Sequence, residues 1–297
     1  MNLLFANDRA GEYPDSWYTA TAKPLAPFPA LSGDVSADVC VIGAGYTGLS
    51  AALHLAQRGL NVVVVEAHRV GFGASGRNGG QVGSGQRLDQ ETLEKTHGVE
   101  TARRLWQFGE QAKTLVRDLI GAHDMPTVFK PGVIHACRTD AEVQEDHASA
   151  DHLAGTYGYD QVEKPDRDAL LAILPVPAYR GGSIDRGAGH VHPLNYAIGL
   201  AAAAVKAGAR IFENSVVTQV QQGQTPVVKT TQGTVRCNHV ILAANGYLGG
   251  LEPEVAARVM PINNFILATE PLGERAAEVL REDVAAADSR FVVNYWR

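Results

Sequence analysis

The sequence predicts an α/β protein (α+β overall) built on a parallel sheet, and three observations predict it. Residues 38–66 give an apolar strand, a helix and a second apolar strand, the order and length of a βαβ unit. Gly43, Gly45 and Gly48 stand between the first strand and the helix in the spacing G-x-G-x-x-G, and Glu66 closes the second strand. Beyond residue 193 another helix and several strand-like runs follow, so helical and strand segments alternate along the chain.

Residues 1–35 are rich in Pro, Ala and aromatics without a period, and read as an ordered arm or a linker. The strand DVCVIGAG leads into the helix YTGLSAALHLAQRG, which Gly59 stops, and NVVVVEA follows. Both strands are continuously apolar, as parallel strands covered on two faces must be. A helical region spans about 89–121, with Leu105, Phe108, Leu115 and Leu119 as its apolar face. GVIHACR (132–138) reads as a strand, and the helix after it takes Thr139 or Asp140 as its cap. KPDRDALLAIL is a shorter helix capped by Asp166, with Pro175 beyond its end, and GGSIDRG is a strand. Pro193 suits the first turn of the helix that Gly208 ends. ARIFENSVVTQV gives strands, PVVKTTQGTVRC a hairpin around Gln232-Gly233, and HVILAANGYLGG an apolar strand running into a turn. PINNFILATEPL and RFVVNYWR read as two last strands around a short helix, and a chain that stops inside a strand pattern is expected to be a fragment.

The 297 residues suit one large or two intertwined domains, and 45% hydrophobic with 20% charged residues is a globular composition. A net charge of -6 argues against a general nucleic-acid surface, which needs a basic face. Cys40, Cys137 and Cys237 lie far apart in sequence without a C-x-x-C pair, so neither a disulfide framework nor a metal centre is expected. No signal-peptide pattern opens the chain, and no apolar run reaches the roughly 20 residues needed for membrane insertion. The expected location is cytoplasmic.

The glycine motif has a physical reading. Gly43 allows a tight turn, Gly45 lets backbone approach a pyrophosphate, and Gly48 lets helix and strand pack closely. The helix start offers unpaired N–H groups to that phosphate. Glu66 accepts hydrogen bonds from ribose hydroxyls and repels a 2′-phosphate, which disfavours NADP. The competing reading is of turn glycines and a surface acid; the flanking strand and helix weigh against it. Five more glycines, from Gly71 to Gly80, follow Glu66 within GFGASGRNGGQ. Bare backbone there can touch a flat ring or a phosphate. Ser75 and Arg77 can bind phosphate oxygens, and Asn78 and Gln81 ring or ribitol groups; the plainer alternative is a flexible surface loop.

At these residues the sequence resembles the D-amino-acid oxidase-like flavoprotein family, and within it the γ-glutamylputrescine oxidase-like group. SWYTATA, ADVCVIGAGYTGLSAALHLAQRGLNVVVVEA, ASGRNGGQ, GHVHPLNYAIGLAAAAVKAGARIFENSVV, HVILAANGYLG and MPINNFILATEPL carry the resemblance in order. It implies a Rossmann-like FAD-binding domain with a parallel sheet and β-meander, interleaved with a mixed-sheet substrate domain. The implied segments are an arm at 1–35, FAD-binding parts at 36–124 and 187–255, and substrate parts at 125–186 and 256–297. It implies FAD as cofactor, with Gly43, Gly45, Gly48 and Glu66 on the ADP half. Ser75, Arg77, Asn78, Gly79, Gly80 and Gln81 would lie along the pyrophosphate and flavin. Val217 would give backbone bonds beside the adenine, and Ala244, Asn245 and Gly246 would line the cofactor. The family's further glycine-rich return to the flavin does not occur before Arg297.

The resemblance implies oxidation of an amine or amino-acid C–N bond, with the imine hydrolysed afterwards. The electron acceptor is oxygen or a quinone or carrier protein. Such chemistry needs positioning more than acid–base groups, so no residue stands out as catalytic. His190 and His192 are candidates for taking the amine proton, against a reading as loop histidines, and His54 reads as packed or surface. Asn263, Asn264, Thr269, Tyr247 and Trp296 could face or wall a pocket, and Cys237 reads as a buried thiol. Two other readings compete: an NAD-dependent dehydrogenase on the same βαβ unit, and a truncated flavin-binding module without turnover.

Overall fold

A computed structural model of the protein describes residues 3–5, 9–262, 264–290 and 292–297. In chain order these form α1 (Trp17–Thr21), β1 (Gly33–Ile42), α2 (Tyr46–Gln57), β2 (Val62–Val65), β3 (Gln81–Val82), α3 (Gln90–His97) and α4 (Val99–Ala122). β4 (Lys130–Cys137), α5 (Asp140–His152), β5 (Val162–Glu163), α6 (Arg167–Ile173), β6 (Gly181–His190) and α7 (Pro193–Lys206) come next. β7 (Arg210–Phe212), β8 (Val217–Gln221), β9 (Val227–Thr230), β10 (Gly233–Leu242), α8 (Pro253–Ala256), β11 (Ala285–Asp288) and β12 (Tyr295–Trp296) complete the list. They gather into two compact units.

The first unit comprises residues 1–78, 123–127 and 192–268. Its six-stranded sheet runs β7-β2-β1-β10-β9-β8. The first four strands are parallel neighbours, and β10, β9 and β8 form an antiparallel meander. Val62–Val65 are buried throughout, which is why the run shows no alternation. TVRC and HVIL prove to be one strand, paired with β1 from Gly33↔Gly233 to Ile42↔Leu242. Gly48 faces this sheet: a Cβ there would stand 1.9 Å from the Gly43 carbonyl oxygen, so only glycine lets α2 approach. α7 begins at Pro193 with His192 as its cap and buries nearly all its side chains.

The second unit comprises 79–122, 128–191 and 269–297. Its mixed sheet runs β12-β11-β4-β6-β3, with β5 also on β6. Among the described residues of this sheet only β11 and β4 are parallel. Its apolar core joins Ile134, Ala136 and Ile184 to Leu170 and Leu174 of the α6 segment. α3 and α4, read from sequence as part of the 36–124 cofactor segment, fall in this unit.

Three expectations are corrected. The helical region is broken at Gly98, whose φ of +81° favours glycine. α4 buries Ala102, Trp106, Lys113 and Leu119, whereas Phe108 is 69% and Leu115 41% exposed. The reason is the company: Trp106 packs edge-on against Tyr159, and Lys113 Nζ bonds Ser84 Oγ (2.7 Å), Tyr159 Oη (3.1 Å) and Glu110 Oε2 (2.8 Å). The described residues of PINNFILATEPL form no strand, and Asn264 and Thr269 are exposed; Asn263 lies outside the described residues. The strand of this region is instead β11, an alanine run stabilised by pairing with β4.

Candidate functional site

Where β1 ends, the first unit builds a cleft around bare backbone. Gly43 has φ +107°, and a Cβ on it would lie 2.6 Å from the Ala243 carbonyl oxygen. Gly45 caps α2 without a side chain, and the Tyr46 N–H at the helix start donates to Ser75 Oγ at 3.0 Å. A Cβ at Gly45 would approach that hydroxyl to 2.9 Å, so helix start, glycine and serine are mutually adjacent. The helix end contributes a positive dipole at this point.

Glu66 closes the other side. Its two carboxylate oxygens accept from the Ala44 N–H (2.7 Å) and the His68 N–H (3.0 Å), which fixes the side chain across the β1 turn. Burial holds its carboxyl above the ordinary carboxylate range, Ala44 and His68 pull it back, and the nearby Glu213 pushes it up again. Glu213 itself is fully buried. It pairs with Arg69 at 2.8 Å and accepts from the backbone N–H groups of Val70 and Phe28, tying the N-terminal arm to the segment after β2. Nothing in the sequence pattern had marked it.

These residues surround a cavity of about 490 Å³. Of the residues singled out in the sequence, Gly43, Gly45, Glu66, Ser75, Val217, Ala244 and Asn245 line it, as does Tyr247. Ser215, Phe72, Gly73 and the Leu248–Leu251 turn also line it and were missed. Spacing could not have found them, although Gly73 belongs to the noted glycine run.

The remaining residues have other places. Gly48 packs helix on strand, and Gly246 is not among the lining residues. Arg77 Nε donates to the Phe72 carbonyl at 2.7 Å, and its guanidinium lies 4.4 Å from the Phe72 ring. Asn78 Nδ2 donates to the Ala74 and Ser75 carbonyls. Both therefore brace the turn that carries Ser75. Gly79, Gly80 and Gln81 belong to the second unit, where Gln81 pairs with His190 across β3 and β6. Trp296 stacks on Tyr179 in that unit. His54 sits part-exposed on α2 with Nδ1 3.3 Å from Gln57 Oε1.

Neither histidine candidate is placed at the cavity. His192 caps α7, its Nδ1 accepting from the Asn195 N–H at 3.1 Å, while Nε2 meets Thr21 Oγ1 at 3.0 Å and the ring stacks on Trp17. His190 is buried in the second unit between Arg297 (3.0 Å) and Asp283 (3.5 Å). Burial, then the Arg297 charge, push its pKa below the usual histidine value.

The cleft fits an adenine dinucleotide: two glycines leave room where a Cβ would collide, a helix start faces a hydroxyl, and a carboxylate stands opposite. A family model for FAD-dependent oxidoreductases, of the D-amino-acid oxidase type, matches residues 38–296. The chain belongs to the FAD-dependent oxidoreductase family. Its cofactor is FAD, which sets aside an NAD-dependent dehydrogenase. Among the curated members of this family, gamma-glutamylputrescine oxidoreductase of Escherichia coli is 38% identical over 96% of this chain. A probable oxidoreductase, OrdL, of Rhizobium meliloti is 40% identical over 95%. The chain spans about two thirds of the length of these relatives, 67% and 66%. The solved glycine oxidase of Geobacillus kaustophilus shares the fold, with a TM-score of 0.59 and 24% identity over 74% of this chain and 58% of that one. Among the described residues no helix is long and apolar enough to cross a membrane.

Proposed function

We propose that this FAD-dependent oxidoreductase oxidises a C–N bond of a small amine or amino acid, with a γ-glutamylputrescine-like compound, sarcosine or a D-amino acid as substrate. The observation that carries the reading is the Gly43–Gly45–Glu66 cleft in a chain 38% identical to gamma-glutamylputrescine oxidoreductase. Bound FAD supplies the acceptor for a hydride equivalent from the carbon bearing nitrogen. Gly43 and Gly45 would give the diphosphate room, free N–H groups at the α2 start and the Ser75 hydroxyl would hydrogen-bond it, and Glu66 would take the ribose hydroxyls. Val217, Ala244 and Asn245 complete the wall of the same cavity. Arg77, Asn78, Gly79, Gly80, Gln81 and Gly246 are proposed to serve the cofactor as supports of this frame or along its length, as the family pattern has them.

No side chain is assigned as the base. Oxygen or a quinone reoxidises the cofactor, the location is cytoplasmic, and neither nucleic acid nor stable membrane insertion enters the function. The test is anaerobic mixing of the yellow, FAD-loaded protein with γ-glutamylputrescine, sarcosine and a panel of D-amino acids. Bleaching of the flavin band by one of them is the expected result; bleaching by none refutes the substrate class. Peroxide formation on admitting air distinguishes oxygen from a quinone acceptor.

A further inference from the structure

Apart from the cofactor cleft, a second group of chemistry-bearing side chains converges in the other unit. His135 and Cys137 alternate along β4 and so face the same side of its sheet, and α5 lies against that strand. His135 Nδ1 is 2.8 Å from Asp146 Oδ1 and 3.8 Å from Cys137 Sγ, and the three donor atoms all lie within 4.8 Å of one another. Cys137 is fully buried, the Asp146 side chain is 13% exposed and His135 is 48% exposed. Asp146 Oδ2 is buried with no hydrogen-bond partner.

We infer that His135, Cys137 and Asp146 form a site for one divalent cation of the zinc class. Both neighbours contact the same ring nitrogen. A nucleophile–base–orienter relay uses the two different imidazole nitrogens, so this arrangement is not a catalytic triad. Donors converging on one point are what a metal ion requires. Ligands at Zn–S and Zn–N lengths with tetrahedral angles stand about 3.3–3.7 Å apart; the sulfur–imidazole spacing of 3.8 Å is near this, and the 2.8 Å imidazole–carboxylate hydrogen bond has to open on binding. Thiolate, imidazole and carboxylate together suit zinc rather than magnesium or calcium, which prefer oxygen alone. Three protein ligands leave the fourth position to water, reached from the exposed side of His135. On binding, the Cys137 thiol proton and any proton shared by His135 and Asp146 leave to solvent, and the ion fastens β4 to α5. Asp146 Oδ2, which has no hydrogen bond while Oδ1 pairs with His135, offers the ion a second oxygen of the same carboxylate.

The experiment titrates the FAD-loaded, untagged, reduced and chelator-stripped protein with Co²⁺. The expected result is d–d absorption to the red of the flavin bands, saturating at one equivalent and erased by one equivalent of Zn²⁺. Cys137→Ser and Asp146→Asn should each weaken binding at least tenfold, while the Cys40→Ser/Cys237→Ser double variant keeps it. Circular dichroism checks the fold, and Asp146→Asn carries the test should Cys137→Ser misfold. Absence of a saturable band, a band indifferent to Asp146→Asn, or one lost in the Cys40/Cys237 variant overturns the site. FAD content and substrate bleaching are read separately, so failure here leaves the oxidoreductase reading intact.

Discussion

At the residue scale, the proposed cofactor cleft depends on atoms that are missing as much as on those present. Gly43 has a φ that favours glycine, and a methyl group there would press on the Ala243 carbonyl. Gly43→Ala should therefore lower stability through backbone strain and the Ala243 contact, and should empty of flavin a protein whose circular dichroism still shows it folded. The ratio of flavin to protein absorbance checks it, and a full complement of FAD would contradict the role given to this glycine. His190 makes a different prediction. Its pKa lies below the ordinary value because burial and then Arg297 disfavour the imidazolium, against the opposing pull of Asp283, with Lys130 acting as Arg297 does. A histidine depressed in the folded state contributes stability above its unfolded pKa, about 6.5, that is lost as pH falls through the folded value. Urea midpoints at pH 7.5 and 5.5 should show that loss in the native chain and a flatter profile in His190→Gln.

At the element scale, what was legible in the sequence was what is local. The sequence narrows the cap of α5 to Thr139 or Asp140, and the structure chooses Thr139, which accepts the Glu142 N–H while Glu142 returns to the Thr139 N–H as a capping box. Asp166 and Pro193 likewise announced α6 and α7. Thr139→Ala should cost about 1 kcal/mol in urea unfolding; no measurable change would mean the helix end is held by its packing alone. The βαβ unit was readable because continuous burial and bare backbone both leave marks in composition. The α4 face was not, because the stripe through Phe108 and Leu115 is as periodic as the one that packs. Only the distant Tyr159 and Ser84 decide that Trp106 and Lys113 turn inward, with Glu110 of the same helix pairing the buried ammonium. β11 failed for a related reason: Ala285–Ala287 lack the β-branched side chains that signal a strand, and its order comes from β4. Within the site, the G-x-G-x-x-G frame and Glu66 were legible. For Arg77 and Asn78 only their polarity was legible; their bracing of the Ser75 turn was not.

At the scale of the whole molecule, the proposed cofactor cleft belongs to one of the two compact units, and every residue lining it lies in that unit. Its wall is collected from the end of β1, the segment after β2, the start of β8 and the turn after β10. A ligand that bridges four such places binds the folded unit and not the unfolded chain, so it must stabilise by mass action. Free FAD at a hundred times its Kd should add about 2.7 kcal/mol, which in a domain of this size is a rise of roughly 5–10 °C in Tm. Thermal unfolding followed across a series of FAD concentrations should climb logarithmically, and Gly43→Ala should hold the midpoint constant. Hydrogen exchange places the effect: added FAD should protect 42–45, 65–75, 215–218 and 243–251, the segments of the wall. Protection confined to the second unit, or a midpoint indifferent to FAD in a protein that still folds, would break the link between this cleft and the cofactor.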